Sequence, residues 1–214
     1  MQTELLSCPA RQQECCYLDE LKTLRKQVIT DPLTGLFNVR YFRDSLESEL
    51  ERTRRTGMST CLMIIDLDHF KRVNDTYGHE NGNRVLVHCA ELLQSQTRKL
   101  DICCRYGGEE FVIILPSTEL MLAQQVAERC RSLLAQTPVN LEEGELNVTA
   151  SIGLAVCSDA DQLTAAQLIE LADQCLYKAK RNGRNQVVAH RQERPDHRVS
   201  EDEKAALRSM FGGD

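Results

Sequence analysis

Arg105-Tyr106-Gly107-Gly108-Glu109-Glu110-Phe111 is the stretch that decides how this chain is read. Asp101-Ile102-Cys103-Cys104-Arg105-Tyr106 leads into it and Phe111-Val112-Ile113-Ile114-Leu115 leads out, both rich in strand-forming residues. A Gly-Gly pair between two such runs predicts a tight hairpin, because primed two-residue turns need the positive φ that glycine adopts freely. Glu109 and Glu110 are then expected directly after the turn, on a backbone braced by its partner strand. Glycines also let a bulky anion approach the main chain. Two carboxylates held beside phosphate imply a divalent metal between them. For the heptapeptide alone, a surface hairpin with solvated glutamates is the alternative.

Working outward, Thr60-Cys61-Leu62-Met63-Ile64-Ile65 is almost wholly apolar, follows Gly57 and ends at Asp66. Such a run predicts a central strand covered on both faces. Asn38 is a good N-cap for a helix to about Arg55 with Phe42, Leu46 and Leu50 on one face. A second helix is expected from Arg84 to Thr97, burying Val85, Leu86, Cys89, Leu92 and Leu93. Beyond the hairpin, Glu119 to Gln136 has helical spacing in Leu122, Val126, Cys130, Leu133 and Leu134. Leu146 to Val156 reads as strand, Ala165 to Arg181 as helix, and Gln186 to Ala189 as a short closing strand. One crossover combined with one hairpin predicts an α+β domain. Its expected form is a mostly antiparallel sheet flanked by helices, in the ferredoxin-like or polymerase-palm style.

In that arrangement the strand ending at Asp66 lies beside the hairpin, so Asp66 emerges at the same edge as Glu109 and Glu110. Three converging carboxylates repel one another unless a cation joins them, and hard oxygen ligands select Mg²⁺ or Mn²⁺. Two such ions roughly 4 Å apart clamp the attacking and leaving oxygens of an in-line phosphoryl displacement. Asp68 is either a further ligand on the same face or a turn or capping residue.

Residues 1–30 are expected to form a helical stalk with Leu18, Leu21, Leu24 and Val28 as a narrow apolar stripe. It would serve dimerisation or partner binding, or pack against its own domain. Asp31-Pro32 stops it. Residues 31–190 are expected to form the catalytic domain, and the polar segment 191–214 a mobile tail with one short helix. The chain has 214 residues and a net charge of −6, which argues against nucleic acid as a partner. No apolar run approaches the ~20 residues of a membrane span and no signal pattern opens the chain, so a cytoplasmic location is expected. Most of the ten cysteines sit in apolar periodic segments and read as small core residues. Cys8, Cys15 and Cys16 lie in a polar segment without a second ligand pair at zinc spacing.

The segment Asp66-Leu67-Asp68-His69-Phe70-Lys71-Arg72-Val73-Asn74-Asp75-Thr76-Tyr77-Gly78-His79, taken with the hairpin, resembles the GGDEF domain of diguanylate cyclases, here in a GGEEF form of the signature. The likeness runs from about Thr30 to Val188. It includes Asp31-Pro32-Leu33-Thr34-Gly35-Leu36-Phe37-Asn38, Asn147-Val148-Thr149-Ala150-Ser151-Ile152-Gly153, Ala172-Asp173, and Lys180-Arg181-Asn182-Gly183-Arg184-Asn185. The resemblance implies that two GTP are condensed to cyclic di-GMP and two pyrophosphates, with two Mg²⁺ or Mn²⁺ per active site. Asp66, Glu109 and Glu110 would bind the metals, helped by the Leu67 carbonyl. Glu110 would help activate the 3′-hydroxyl of one GTP. Lys71, Lys180 and Arg184 would hold the β- and γ-phosphates. Main-chain groups near His69 and Phe70, and at Gly107 and Gly108, would complete the cradle, and Asn74 would read guanine. Without the resemblance, Lys180 and Arg184 read as a basic helix end favoured by the macrodipole.

Arg98-Lys99-Leu100-Asp101 resembles the family's RxxD inhibitory site for the product, and Arg129 a further arginine of that site. Each domain would hold one nucleotide, so a homodimer is implied. Control is expected through a regulatory protein on the stalk or through product feedback. Two positions depart from the pattern. Asn83 stands where an aspartate usually follows the glycine, and Val39 where an arginine is common. Asparagine offers guanine one acceptor and a donor where aspartate offers two acceptors. The implied alternatives are a catalytically weak or inactive cyclic di-GMP receptor, or a cyclase with relaxed purine selectivity.

Overall fold

Every residue of β1 (Thr60–Leu67) is buried, the outcome demanded by an apolar run whose two faces must both be covered. The computed structural model describes residues 28–142, 144–158 and 160–190. The expected stalk up to residue 27, the tail from 191, and Cys8, Cys15 and Cys16 lie outside them. β1 is the middle strand of a five-stranded sheet completed by β2 (Ile102–Gly107), β3 (Glu110–Leu115), β6 (Ala150–Cys157) and β7 (Val187–Ala189), in the order β2-β3-β1-β6-β7. β1 is antiparallel to both β3 and β6, and only β6 and β7 run parallel. The expected α+β class with a mostly antiparallel sheet is therefore what the chain adopts.

The strand's alternation sorts its side chains into two cores. Cys61, Met63, Ile65 and Leu67 face one core together with Val85, Cys89, Val126 and Cys130. That layer belongs to α2 (Phe70–Ser95) and α3 (Leu120–Gln136). Leu62 and Ile64 face the other with Phe42, Leu46, Leu168 and Leu176, carried by α1 (Val39–Thr56) and α4 (Ala165–Arg181). α1 is capped by Asn38, whose side chain accepts from the Tyr41 amide, and ends at Gly57 with φ 73°. α4 starts with a reciprocal capping box between Thr164 and Gln167. Cys61, Cys89, Cys103, Cys104, Cys130, Cys157 and Cys175 are all free and buried. Burial pushes the thiols of Cys61, Cys89 and Cys130 up to about 12, so these cysteines behave as core residues. Among the described residues no helix is long and apolar enough to cross a membrane.

Four local expectations are corrected. The second helix begins at Phe70, not Arg84, and is broken at Gly78 (φ 80°, ψ 163°). Its first half is polar apart from buried Phe70 and Val73, too sparse to show helical spacing. The hairpin turn is Gly108-Glu109, not Gly107-Gly108, because β2 runs through Gly107, which pairs with Glu110 after a register shift near Tyr106. Positive φ is needed only at Gly108 (51°), and Glu109 occupies the turn rather than the strand behind it. The segment read as one strand from Leu146 is split. β5 (Gly144–Leu146) pairs with β4 (Val139–Leu141) in a separate two-stranded sheet, and β6 starts only at Ala150. On α3, Leu122 points outward at 46% exposure while Ala123 takes the core position.

Candidate active site

Asp66 is the penultimate residue of β1 and pairs in register with Glu110, the first residue of β3. The Leu67 amide donates to the Glu109 carbonyl at 3.4 Å, tying the hairpin turn to the end of β1. Asp66, Leu67, Glu109 and Glu110 thus meet at one end of two adjacent central strands. Burial pushes the Asp66 carboxyl above the usual carboxylate range. The Lys180 ammonium opposes that shift, and the charges of Glu109 and Asp68 reinforce it. Glu110 is raised as well, first by burial, then by Asp66, with Asp173 and Glu109 adding to it against Lys180. This edge carries negative charge that the fold only partly neutralises.

The cation supplied by the chain is Lys180, in the last turn of α4, whose Nζ lies 2.7 Å from Asp66 Oδ2. Lys180, expected to meet phosphate, is therefore paired with a carboxylate here. Hard oxygen donors crowded enough to raise one another's proton affinity suit a small divalent ion. Among the described residues no three His, Cys, Asp or Glu side chains are arranged as a ready-made metal site. The donor chemistry fits a metal, and part of its shell has to come from the main chain and from a ligand.

The phosphate candidates gather at the same end. His69 (φ 59°) precedes the first turn of α2, where Lys71 is exposed and Phe70 buried. Gly107 and Gly108 are exposed on the hairpin. Arg184 is exposed in the loop after α4, where Gly183, Arg184 and Asn185 have φ of 109°, 63° and 43°. Asn74 packs against Gly82, the residue before Asn83. A Cβ built there would overlap Asn74 Oδ1, so the Asn74 amide lies directly against the glycine preceding Asn83. Asn83 also borders a cavity of about 540 Å³ lined by Leu33, Val87, His88 and Val139 among others. If Asn74 reads guanine, as the resemblance implies, Gly82→Ala is expected to swing the flexible Asn74 amide aside and raise KM for a guanine nucleotide, with thermal stability little changed. Steady-state kinetics beside a melting curve checks this, and an unchanged KM refutes it.

Arg98, Asp101 and Arg129 form a separate group. The Arg98 amide donates to Asp101 Oδ2 at 2.7 Å, and the Asp101 amide to the Arg98 carbonyl at 3.0 Å. Arg129, on α3, donates to the Gln96 carbonyl of the same connection at 3.3 Å. Ile102 pairs with Ile114, so this group sits at the opposite end of the hairpin from Glu110. Burial raises the Asp101 carboxyl, although Arg98 opposes the shift.

Two residues stand out that the residue pattern did not single out for a role. Arg105 donates through Nε and Nη2 to the Gly108 carbonyl (3.1 and 2.8 Å) and pairs through Nη1 with Asp31 at 3.3 Å. It braces the turn against the segment that enters the domain. Asp173, on α4, bears on Glu110 electrostatically. A charged residue inside an apolar strand, just before Gly-Gly, was the available signal for Arg105. Asp68, left open between ligand and turn residue, is buried and accepts from Thr149, Ser151 and Asn185.

A protein-family model described as diguanylate cyclase, GGDEF domain, matches residues 28–186. The chain is 44% identical over 163 residues to the response regulator PleD of Caulobacter vibrioides, covering 75% of this chain and 36% of that protein. It is 40% identical over 167 residues to the diguanylate cyclase DgcP of Pseudomonas aeruginosa, covering 78% of this chain and 25% of that one. It therefore spans about a third or less of either relative's length. Among solved structures, the diguanylate cyclase SiaD in complex with its activator SiaC, from Pseudomonas aeruginosa, superposes with a TM-score of 0.75 at 41% identity, covering 81% of this chain and 66% of that one. The coiled coil and GGDEF domain of DgcB from Caulobacter crescentus, in complex with c-di-GMP, gives 0.76 at 29% identity, covering 81% and 92%.

Proposed function

This chain belongs to the GGDEF-domain family of diguanylate cyclases, and from that premise we propose that it condenses two GTP into cyclic di-GMP and two pyrophosphates. The observation that carries the reading is the register pairing of Asp66 with Glu110 beside Lys180. A domain that only bound the product at Arg98 and Asp101 would need none of these three. Asp66, Glu109 and the Leu67 carbonyl would hold divalent metal, Mg²⁺ or Mn²⁺, two per site. Bound there, the metal supplies charge neutralisation at the α-phosphate and acidity to the attacking hydroxyl. Glu110, with its raised proton affinity, takes the 3′-hydroxyl proton. Lys71, Lys180 and Arg184 grip the β- and γ-phosphates of the leaving pyrophosphate, and Lys180 exchanges Asp66 for phosphate when nucleotide enters. The amides at His69, Phe70, Gly107 and Gly108 complete the cradle.

Each domain holds one nucleotide, so two copies face each other during reaction. Arg98, Asp101 and Arg129 form the product-inhibition site, where arginine pairs with phosphate and stacks on guanine. The SiaD–SiaC complex supports a regulatory protein as a further partner of this chain. Asn83 favours a second outcome, weakened guanine selectivity. Exchanging a charged acceptor for an amide loses about 1.5–3 kcal/mol, or about tenfold to hundredfold in affinity. The test is purified protein with Mg²⁺ and GTP, ATP or both, with products resolved by mass spectrometry beside Asn83→Asp. Cyclic di-GMP from GTP is expected, with KM for GTP lowered in Asn83→Asp. Mixed GMP–AMP product from the wild type establishes relaxed selectivity. Folded protein that binds cyclic di-GMP tightly yet makes no product overturns the cyclase in favour of the receptor.

A further inference from the structure

Asp68 lies just past the end of β1 and is 7% exposed. Its Oδ1 accepts from the Ser151 hydroxyl at 2.7 Å, and its Oδ2 from the Thr149 hydroxyl at 2.7 Å and the Asn185 amide at 3.0 Å. Its own amide donates to the Thr149 carbonyl at 2.8 Å. Three donors occupy the carboxylate, which has about four acceptor sites in all. It is a poor candidate for a metal ligand and a strong anchor.

The amide it holds belongs to an unusual turn. Gly183, Arg184 and Asn185 all have positive φ, a conformation open to glycine and, less freely, to asparagine, but one that Arg184 keeps only when its surroundings enforce it. Two contacts do so from outside the turn. Asp68 takes the Asn185 amide, and Arg131 Nη1 donates to Asn185 Oδ1 at 2.8 Å. Inside it, the Arg184 amide returns to the Ala179 carbonyl at 3.1 Å. The Arg184 side chain itself is free to project outward, while the backbone beneath it is fixed to the end of β1, two residues from Asp66.

We propose that Asp68 is a positioning residue: it locks the Gly183–Asn185 turn and thereby sets Arg184 at a fixed distance from the Asp66 carboxylate, for recognition of a nucleoside triphosphate. A side chain that must reach the terminal phosphates while the α-phosphate sits at Asp66 needs such a rigid spacer. The inference rests on the cyclase reading for the role of Arg184.

The experiment is a double-mutant cycle on the affinity for a non-hydrolysable GTP analogue, measured by calorimetry with Mg²⁺. Asp68→Asn keeps the volume but weakens the bond to the Asn185 amide, and is expected to reduce affinity about tenfold. Arg184→Ala is expected to reduce it comparably, and adding Asp68→Asn to Arg184→Ala should do almost nothing more. Equal losses from Asp68→Asn with and without Arg184 overturn the proposal. So does a rise in the Mn²⁺ concentration for half-saturation of the nucleotide-free protein, the mark of a direct metal ligand. Arg184→Ala with unchanged affinity instead undermines the triphosphate assignment of the cyclase reading. Should Asp68→Asn fail to fold, Thr149→Val removes one donor while keeping the carboxylate. It is then expected to weaken binding by a smaller factor, again only when Arg184 is present.

Discussion

Glu110→Gln is expected to lower turnover by about 10²–10⁴-fold, the usual share of a general base, while leaving the domain at least as stable at neutral pH. The amide keeps the shape at the first position of β3 but cannot accept the 3′-hydroxyl proton. The stability half follows from the raised proton affinity of Glu110, caused by burial first and Asp66 second. A carboxyl with a folded pKa above its unfolded value contributes stability that is present below the unfolded pKa. That contribution is lost as pH rises through the folded pKa. At neutral pH the ionised Glu110 therefore works against folding in the metal-free protein, and removing its charge relieves Asp66. The melting temperature of Glu110→Gln should equal or exceed that of the wild type at neutral pH. The difference should shrink as pH falls through the titration of Glu110. Pyrophosphate release and thermal melts of metal-free protein measure both halves. Retained turnover, or a lower melting temperature at neutral pH, contradicts them.

Gly153→Ala is expected to destabilise the domain by about 3 kcal/mol, the upper end for overpacking, and so to lower the melting temperature by roughly 6–12 °C. Gly153 is the β6 partner of Ile64 in β1, where α4 crosses the sheet. A Cβ there would overlap the Ala172 carbonyl and the Leu176 amide and Cα. These are backbone atoms, so no side chain can turn aside, and α4 has to move as a body. Lys180 rides on the next turns of that helix, 2.7 Å from Asp66 Oδ2, so catalysis should fall with stability. Chemical denaturation gives the first number and the KM for GTP the second. An unchanged unfolding midpoint would show that the helix moves at no cost.

Local pattern was enough for the elements with a strong signal. The six-residue apolar run Thr60–Ile65 within β1, the Asn38 cap of α1, the extent of α4 and the flanks of the hairpin are visible in one dimension, because hydrophobic periodicity and capping act over a few residues. Where that signal thins, the structure decides. Phe70–Tyr77 forms a helix with only two buried apolar anchors. Gly108-Glu109 takes the turn because a register shift near Tyr106 moves the pairing along. The β4–β5 hairpin is too short to announce itself.

The candidate site divides along the same line. Asp66, Glu109 and Glu110 could be named from the sequence because a strand ending in a carboxylate beside a glycine turn is a local feature. Their meeting could be anticipated once the strand order was guessed. What only the tertiary structure decided are the partners: Lys180 on Asp66, Arg105 between Asp31 and Gly108, and Asp68 on an amide 117 residues away. The reason is physical. Apolar patterning tells a side chain which face to bury, whereas a buried charge must find particular donors. Those donors come from whichever distant segments the packed sheet and helices bring within hydrogen-bonding distance.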